Sequence, residues 1–281
     1  MTPLLDHELI EYIREDIPYF DLTTHLLAPT PKLAKLEIFT RDDIVVACSE
    51  EAQRVAELLG CSVVKNTPST TFLQAGSLVL KLQGDSDKLH QAWKLCAVLL
   101  EYACGIATYS YKMLQNAHTL NPKCEILVTR KSIPFTKKFA MRALLCGGVL
   151  PHRLGLSESI VIFDHHRALF EDKEQFINAF HDLKRKAVEK KVVVESDTLE
   201  DAKEMLCLGA DVIQMDKCNQ SVLKELVEYK NQNFPHAKIL AAGGINKDNV
   251  ALFAHSGVDA IVTSSPYQAK MADFGTRWIN L

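Results

Sequence analysis

Two short stretches of this chain set cationic groups at the edges of apolar runs. Arg130 and Lys131 follow Ile126-Leu127-Val128, and His152 and Arg153 lie ahead of Ile160-Val161-Ile162-Phe163. Positive groups gathered where strands end suit a substrate with several negative charges. A guanidinium forks a carboxylate or phosphate bidentately, and an ammonium supplies a mobile point charge. One Arg-Lys pair alone reads as a solvated basic loop. The second pair, and the strand context of both, turn the reading toward an anion site.

Further chemistry follows other apolar runs. Gly243 and Gly244 close one such run and precede a helical one, so backbone amides there can approach a phosphate. Thr263 and Ser264 follow the last run and could add hydroxyl donors beside it. Glu195 and Asp216 each end a run. Carboxylates are hard oxygen ligands, and at a rim that also holds phosphates they suit Mg²⁺ carried in by the substrate. Pairing with a rim cation such as Lys217 is compatible with that role. His152, His165 and His166 show neither His-x-x-x-His nor Cys/His zinc spacing. His152, beside Arg153, reads as a hydrogen-bond donor to a carboxylate, and the other two read as rim histidines bonded to their neighbours.

The elements that must position these residues show in the periodicity. From about residue 124 onward, strands are expected at 124–129, 159–163, 191–195, 211–215, 237–241 and 259–263. Helices are expected near 136–147, 172–190, 198–208, 219–232 and 246–256, with Asp197 or Thr198, and Asn246, as candidate N-caps. Strand-helix alternation with almost wholly apolar strands predicts a parallel sheet covered on both faces or closed into a barrel. Every strand end supplies polar or glycine residues. That pattern favours a barrel, whose chemistry gathers at one rim, over an open doubly wound sheet, which concentrates it at a switch point.

Residues 1–85 read differently, as α+β. A helix is expected near 6–15, strands at 33–40, 43–48, 61–65 and 77–83, and a helix near 50–59. Asp16 to Thr24 reads as a capped turn. A long helical region, 86–119, follows, with a break expected near Gly105.

Composition excludes several classes. With 281 residues, 47% hydrophobic and 24% charged, the chain can bury a substantial core, and a net charge of −3 offers no global field for nucleic acid. Eight cysteines without a Cys-x-x-Cys pair read as small buried hydrophobes in a reducing compartment. The acidic start of the chain does not read as a secretory leader. The longest apolar stretch, Leu95 to Ala107, is interrupted by Glu101 and Tyr102 and is too short to span a bilayer. A cytoplasmic protein without a nucleic-acid or membrane partner is expected.

Several stretches resemble the motifs of the quinolinate phosphoribosyltransferase family, the nicotinate-nucleotide pyrophosphorylases, over nearly the whole chain. They are Asp21-Leu22-Thr23-Thr24, Gly105-Ile106-Ala107-Thr108, Thr129-Arg130-Lys131, His152-Arg153-Leu154-Gly155-Leu156-Ser157, Val194-Glu195-Ser196-Asp197 and Ala242-Gly243-Gly244-Ile245. The resemblance implies an α/β fold: an N-terminal α/β sandwich with a linking helix over residues 1–108, and an open, incomplete parallel α/β barrel over 109–267. A tail, 268–281, would return to the first domain. It also implies a homodimer, or a dimer of dimers or higher, in which one copy's small domain covers the other's barrel mouth. The family reaction joins a pyridine dicarboxylate to phosphoribosyl pyrophosphate with Mg²⁺, releasing pyrophosphate and then CO₂.

Carried onto this chain, the resemblance gives Arg130, His152 and Arg153 to substrate carboxylates and Lys131 to the phosphoribosyl donor. Glu195 and Asp216 go to ribose and Mg²⁺, and Gly243 and Gly244 to the 5′-phosphate. Lys94 falls where the family has an arginine lent by the neighbouring subunit. Where the family has a lysine before Asp-Asn-His, this chain has Phe163 before Asp164-His165-His166, and Ala242 stands for a serine. These departures spare the donor side and alter the acceptor side. They bring the chain nearest to the family's molybdenum-transport-associated pyrophosphorylase branch, whose acceptor the residues do not name. Two alternatives stand beside that reading: quinolinate phosphoribosyl transfer in NAD biosynthesis, and a non-catalytic oxyanion- or nucleotide-binding protein linked to molybdate uptake.

Overall fold

The computed structural model describes residues 3–27 and 30–280. The first two residues of the expected first domain, residues 28 and 29, and the last residue of the expected tail lie outside them. The chain divides into two compact units, one of Met1–Tyr111, Ser132–Gly148 and Tyr267–Leu281, the other of Lys112–Lys131 and Val149–Pro266.

In the first unit, α1 (Asp6–Asp16) and α2 (Leu22–Leu27) precede β1 (Leu33–Thr40), β2 (Ile44–Val45), α3 (Ser49–Leu58), β3 (Ser62–Asn66), β4 (Phe72–Leu73) and β5 (Leu78–Asp85). The turn expected before residue 25 is capped by Asp21, whose carboxylate accepts from the Thr23 amide at 3.0 Å and the Thr24 hydroxyl at 2.6 Å, and it continues into α2. Along β1, Ala34, Leu36, Ile38 and Thr40 are buried, which is the two-residue period of a strand with one face on a core. The last strand of the chain, Phe274–Asn280, pairs antiparallel with β1 in a four-stranded sheet that continues through β5 to β3.

Then α4 (Ser86–His118) runs unbroken for 33 residues. Gly105 is not a break. A Cβ there would meet the Lys270 carbonyl oxygen at 2.5 Å and the Met271 Cα at 3.2 Å. The glycine lets the returning chain pass against the helix, and its propensity cost of about 1 kcal/mol is overridden by that packing. Residues 132–148 fall in the expected barrel domain but cluster with the first unit. Two contacts within that unit account for it: a Cβ on Gly147 would strike the Ala107 carbonyl oxygen, and the Arg142 guanidinium lies 2.6 Å from buried Glu51.

The second unit carries β6 (Glu125–Val128). After α5 (Lys137–Cys146, in the first unit) come β7 (Leu150–Pro151), β8 (Ile160–Ile162), α6 (Asp164–Arg167), α7 (Lys173–Lys186), β9 (Val192–Ser196), α8 (Leu199–Cys207), β10 (Val212–Asp216), α9 (Gln220–Asn233), β11 (Lys238–Ala242), α10 (Val250–His255) and β12 (Ala260–Thr263); β13 is the Phe274–Asn280 strand of the first unit. Thr198 caps α8 as expected, its hydroxyl accepting from the Asp201 amide at 3.2 Å. Asn246 closes a turn onto the Asp248 amide instead of capping a helix.

The seven parallel strands of the second unit are ordered β7-β6-β12-β11-β10-β9-β8. The order is sequential around a ring, the last strand β12 returning to pair with the first, β6, as a barrel requires and a doubly wound sheet does not. Pairing stops between β7 and β8, so the barrel is open there. Among the described residues, no helix is long and apolar enough to cross a membrane.

Candidate active site

Strand residues alternate between the barrel's inside and outside. Val161, Val193, Val212, Leu240, Ala242, Ala260 and Val262 form a buried cluster, with Leu127 and Phe163 packed on it. Counting on by two from these residues puts Phe163, Glu195, Gln214, Asp216 and Ser264 on the same side, toward the carboxyl ends of the strands. The rim chemistry is therefore a consequence of register.

The acidic side lies on β9 and β10, where Glu195 and Gln214 are opposite each other in register. The Gln214 amide donates to Glu195 Oε2 at 2.5 Å. Burial pushes the Glu195 carboxyl above the ordinary range, the Gln214 hydrogen bond opposes it, and Asp216, Asp197 and Asp164 add to the rise. Asp216 Oδ2 stands 3.5 Å from Lys217 Nζ. Among the described residues, no group of three or more His, Cys, Asp or Glu could cage a metal by itself. Two inward carboxylates on adjacent strands fit the other kind of site. Mg²⁺ commonly takes one or two protein carboxylates and completes its octahedron with substrate phosphates and water.

The cationic side comes from β6, β7 and β8. The His152 amide donates to the Val128 carbonyl at 2.8 Å, which ties the β7 exit to β6. Burial, then the Arg153 charge, lowers the His152 pKa, so its ring is neutral near pH 7 and offers one N–H. Burial, then Arg130, lowers the Arg153 pKa. Two guanidiniums close enough to oppose each other make a place that an anion relieves. Arg153 Cζ lies 5.7 Å from the centre of the Phe163 ring, and that ring stacks on His166 at 5.7 Å. A cavity of about 710 Å³ is lined by Arg130, Arg153 and Phe163 together with Leu156, Phe176 and Phe180. Its cations stand beside an apolar wall.

Other expected site residues separate. Lys131 is exposed at the β6 exit, its amide donating to Thr129 Oγ1 at 3.3 Å. The Thr263 hydroxyl is buried and donates to the Ile245 carbonyl at 2.6 Å, which commits it to holding the loop, whereas Ser264 is partly exposed and in phase with the inward residues. A Cβ at Gly244 would meet nothing within 4 Å, whereas one at Gly243 would strike Lys217. Lys94 lies on α4 in the first unit, its Nζ 5.9 Å from the Trp93 ring centre.

Two residues escaped the sequence reading. Gln214 had a signal, a polar residue inside Val212-Ile213-Gln214-Met215, and it is 5% exposed. Arg167 had none. Its guanidinium donates to Asp201 Oδ1 at 2.7 Å and to the Glu195 carbonyl at 2.8 Å, clamping the β9 exit. Arg167→Met should cost about 1.5–3 kcal/mol, as for a charge-assisted hydrogen bond. Urea unfolding would show that loss, and calorimetry should show weaker donor binding as the Glu195 backbone is released. A variant as stable as the wild type would remove the clamp.

Residues 21–104 match the family model described as the N-terminal domain of quinolinate phosphoribosyl transferase, and residues 106–277 match that of its C-terminal domain. The chain belongs to the quinolinate phosphoribosyl transferase family. Within that family it is 38% identical over 271 residues to the Pasteurella multocida protein named "Putative pyrophosphorylase ModD", covering 95% of both chains. It is 30% identical over 253 residues to a Methanothermobacter thermautotrophicus protein named "Probable nicotinate-nucleotide pyrophosphorylase (carboxylating)", covering 89% of this chain and 90% of that one. The solved NadC of Streptococcus pyogenes superposes with a TM-score of 0.89 over 100% of both chains at 24% identity, a likeness in fold. The quinolinate phosphoribosyl transferase motifs of the second unit thus fall on the carboxyl rim of one open barrel, with cations on one arc and carboxylates on another.

Proposed function

We propose that this phosphoribosyltransferase takes its ribosyl group from phosphoribosyl pyrophosphate with Mg²⁺ and passes it to an acceptor with one acidic group on an aromatic or apolar body. The observation that carries the acceptor class is Phe163, an inward ring beside Arg153 where a second carboxylate would need a cation. Arg130, Arg153 and the neutral His152 would hold the single acidic group, and Phe163 the apolar face. On the donor side, Lys131 and the Gly243-Gly244 turn would hold phosphates, and Glu195 and Asp216 would face the ribose and Mg²⁺.

Bound Mg²⁺ would offset charge on the departing pyrophosphate. The chain's own part is to align acceptor and ribose and to keep fixed dipoles and cations where charge develops, which needs no covalent nucleophile. The two guanidiniums with the His152 N–H, and the 30% identical relative, favour quinolinate transfer as the second reading. We infer a cytoplasmic homodimer in which Lys94 completes the partner's site, on the strength of the family resemblance and the free cysteines.

The donor assignment is tested by calorimetry with phosphoribosyl pyrophosphate and Mg²⁺. Binding should weaken about ten- to hundredfold in Lys131→Ala, the loss of one charge-assisted contact, and should weaken also in Gly244→Val. Unchanged affinity in both would sink the donor site. Pyrophosphate release across a panel of acidic aromatic acceptors would then identify the partner substrate and exclude a purely binding protein.

A further inference from the structure

Lys217 is where the backbone of this rim departs from ordinary conformations. It follows β10 with φ 54, and among the described residues of the second unit it is the one non-glycine residue in the left-handed region. That region is uncommon for L residues and is visited mainly by glycine, asparagine and aspartate. The surrounding chain imposes it from two sides. The Lys217 amide donates to the Ala242 carbonyl at 2.9 Å, which stitches the exit of β10 to that of β11. Gly243 then leaves the lysine room: a Cβ there would meet the Lys217 backbone nitrogen and Cγ at 2.6 Å each and Asp216 Oδ1 at 2.9 Å.

The lysine side chain therefore crosses the bare Cα of Gly243. It remains 80% exposed, with its ammonium 3.5 Å from Asp216. An ion pair with one member so exposed is weak. Beyond it, Gly244 faces open space, since a Cβ there would meet nothing within 4 Å. Asparagine or glycine at position 217 would satisfy the same turn with less strain. Strain of this kind persists where surrounding structure over-determines it, and it clusters at ligand clamps.

We propose that Lys217 is a binding residue for a phosphate of the donor, seated against the open side of the Gly243-Gly244 turn. The turn offers backbone amides but no formal charge, and Lys217 supplies that charge from the neighbouring strand end, exchanging its exposed contact with Asp216 for the phosphate. The inference rests on the phosphoribosyltransferase reading above. It adds a cation to the donor side that is separate from Lys131.

Calorimetry on the full-length protein tests it with three probes in the presence of Mg²⁺: phosphoribosyl pyrophosphate, ribose 5-phosphate and inorganic pyrophosphate. Lys217→Asn should bind the donor about tenfold or more weakly, the loss of a charge-assisted contact. Its melting temperature should rise by about 2 °C as backbone strain is relieved. Lower affinity with higher stability is a combination that a purely structural lysine does not give. Lys217→Arg, which keeps the charge, should retain most of the affinity. A loss confined to the ribose 5-phosphate arm or to the pyrophosphate arm supports the inference and identifies the phosphate. Donor affinity equal to wild type in Lys217→Asn overturns the role of Lys217 and leaves the donor reading intact. A wild type that binds no phosphoribosyl pyrophosphate overturns the reading beneath it.

Discussion

Gly243→Ala should destabilise the protein by about 2–4 kcal/mol and abolish donor binding, because two penalties coincide at one residue. With φ +92, Gly243 adopts a conformation that alanine takes only under strain, and the new Cβ would lie 2.6 Å from the backbone nitrogen of Lys217. Backbone cannot swing aside as the end of a flexible side chain can. Relief requires parting the β10 and β11 exits, which breaks the 2.9 Å bond from the Lys217 amide to the Ala242 carbonyl. Gly244→Ala is the control. With φ +68 and nothing within 4 Å, it meets the conformational penalty alone, about 1 kcal/mol. Denaturant unfolding of the two variants decides the matter. Equal losses would show that the close approach at Gly243 is not tight in solution.

Quinolinate should be a poor acceptor for the wild type, and Phe163→Lys should raise its turnover about ten- to hundredfold. A pyridine dicarboxylate leaving water needs both charges paired, and one missing charge-assisted hydrogen bond costs about 1.5–3 kcal/mol, at ~1.4 kcal/mol per tenfold. The substitution has a second, opposite consequence. Phe163 lies under the Arg153 guanidinium at 5.7 Å, and Arg153 already has its pKa lowered by burial and by Arg130. An ammonium in place of the ring adds a third positive group to that corner. The variant should therefore melt below the wild type in buffer and regain stability when quinolinate is added. Steady-state kinetics and melting curves with and without quinolinate check both halves. Wild-type quinolinate turnover that already matches that of a committed quinolinate enzyme defeats the argument, and the quinolinate reading then takes over.

The barrel strands were legible in the sequence because they are short, apolar and rich in β-branched residues. Strands were expected at 191–195, 211–215 and 237–241, and β9, β10 and β11 each lie one residue further on. The rim residues were legible for the same reason: Arg130, Glu195, Asp216 and Gly243 are polar or glycine residues at the ends of such runs. Local periodicity is a property of neighbouring residues, so it survives in one dimension.

What escaped the sequence depends on residues far apart in the chain. The two-residue strand β7 contains a proline and has no periodicity of its own; β6 makes it a strand by pairing with it. Gly105 carries the ordinary mark of a helix break, and only the arrival of Lys270 and Met271 explains an uninterrupted α4. Arg167 reads as one more surface arginine until folding brings Asp201 and the Glu195 carbonyl to it. The left-handed turn at Lys217 likewise has no local cause, for it is imposed by the Ala242 carbonyl and permitted by the bare Cα of Gly243. The sequence by itself therefore determined which elements form and which chemistry stands at their ends. The tertiary structure decided which of those groups meet, because their conformations are set by hydrogen bonds and excluded volume from strands and helices distant in the chain.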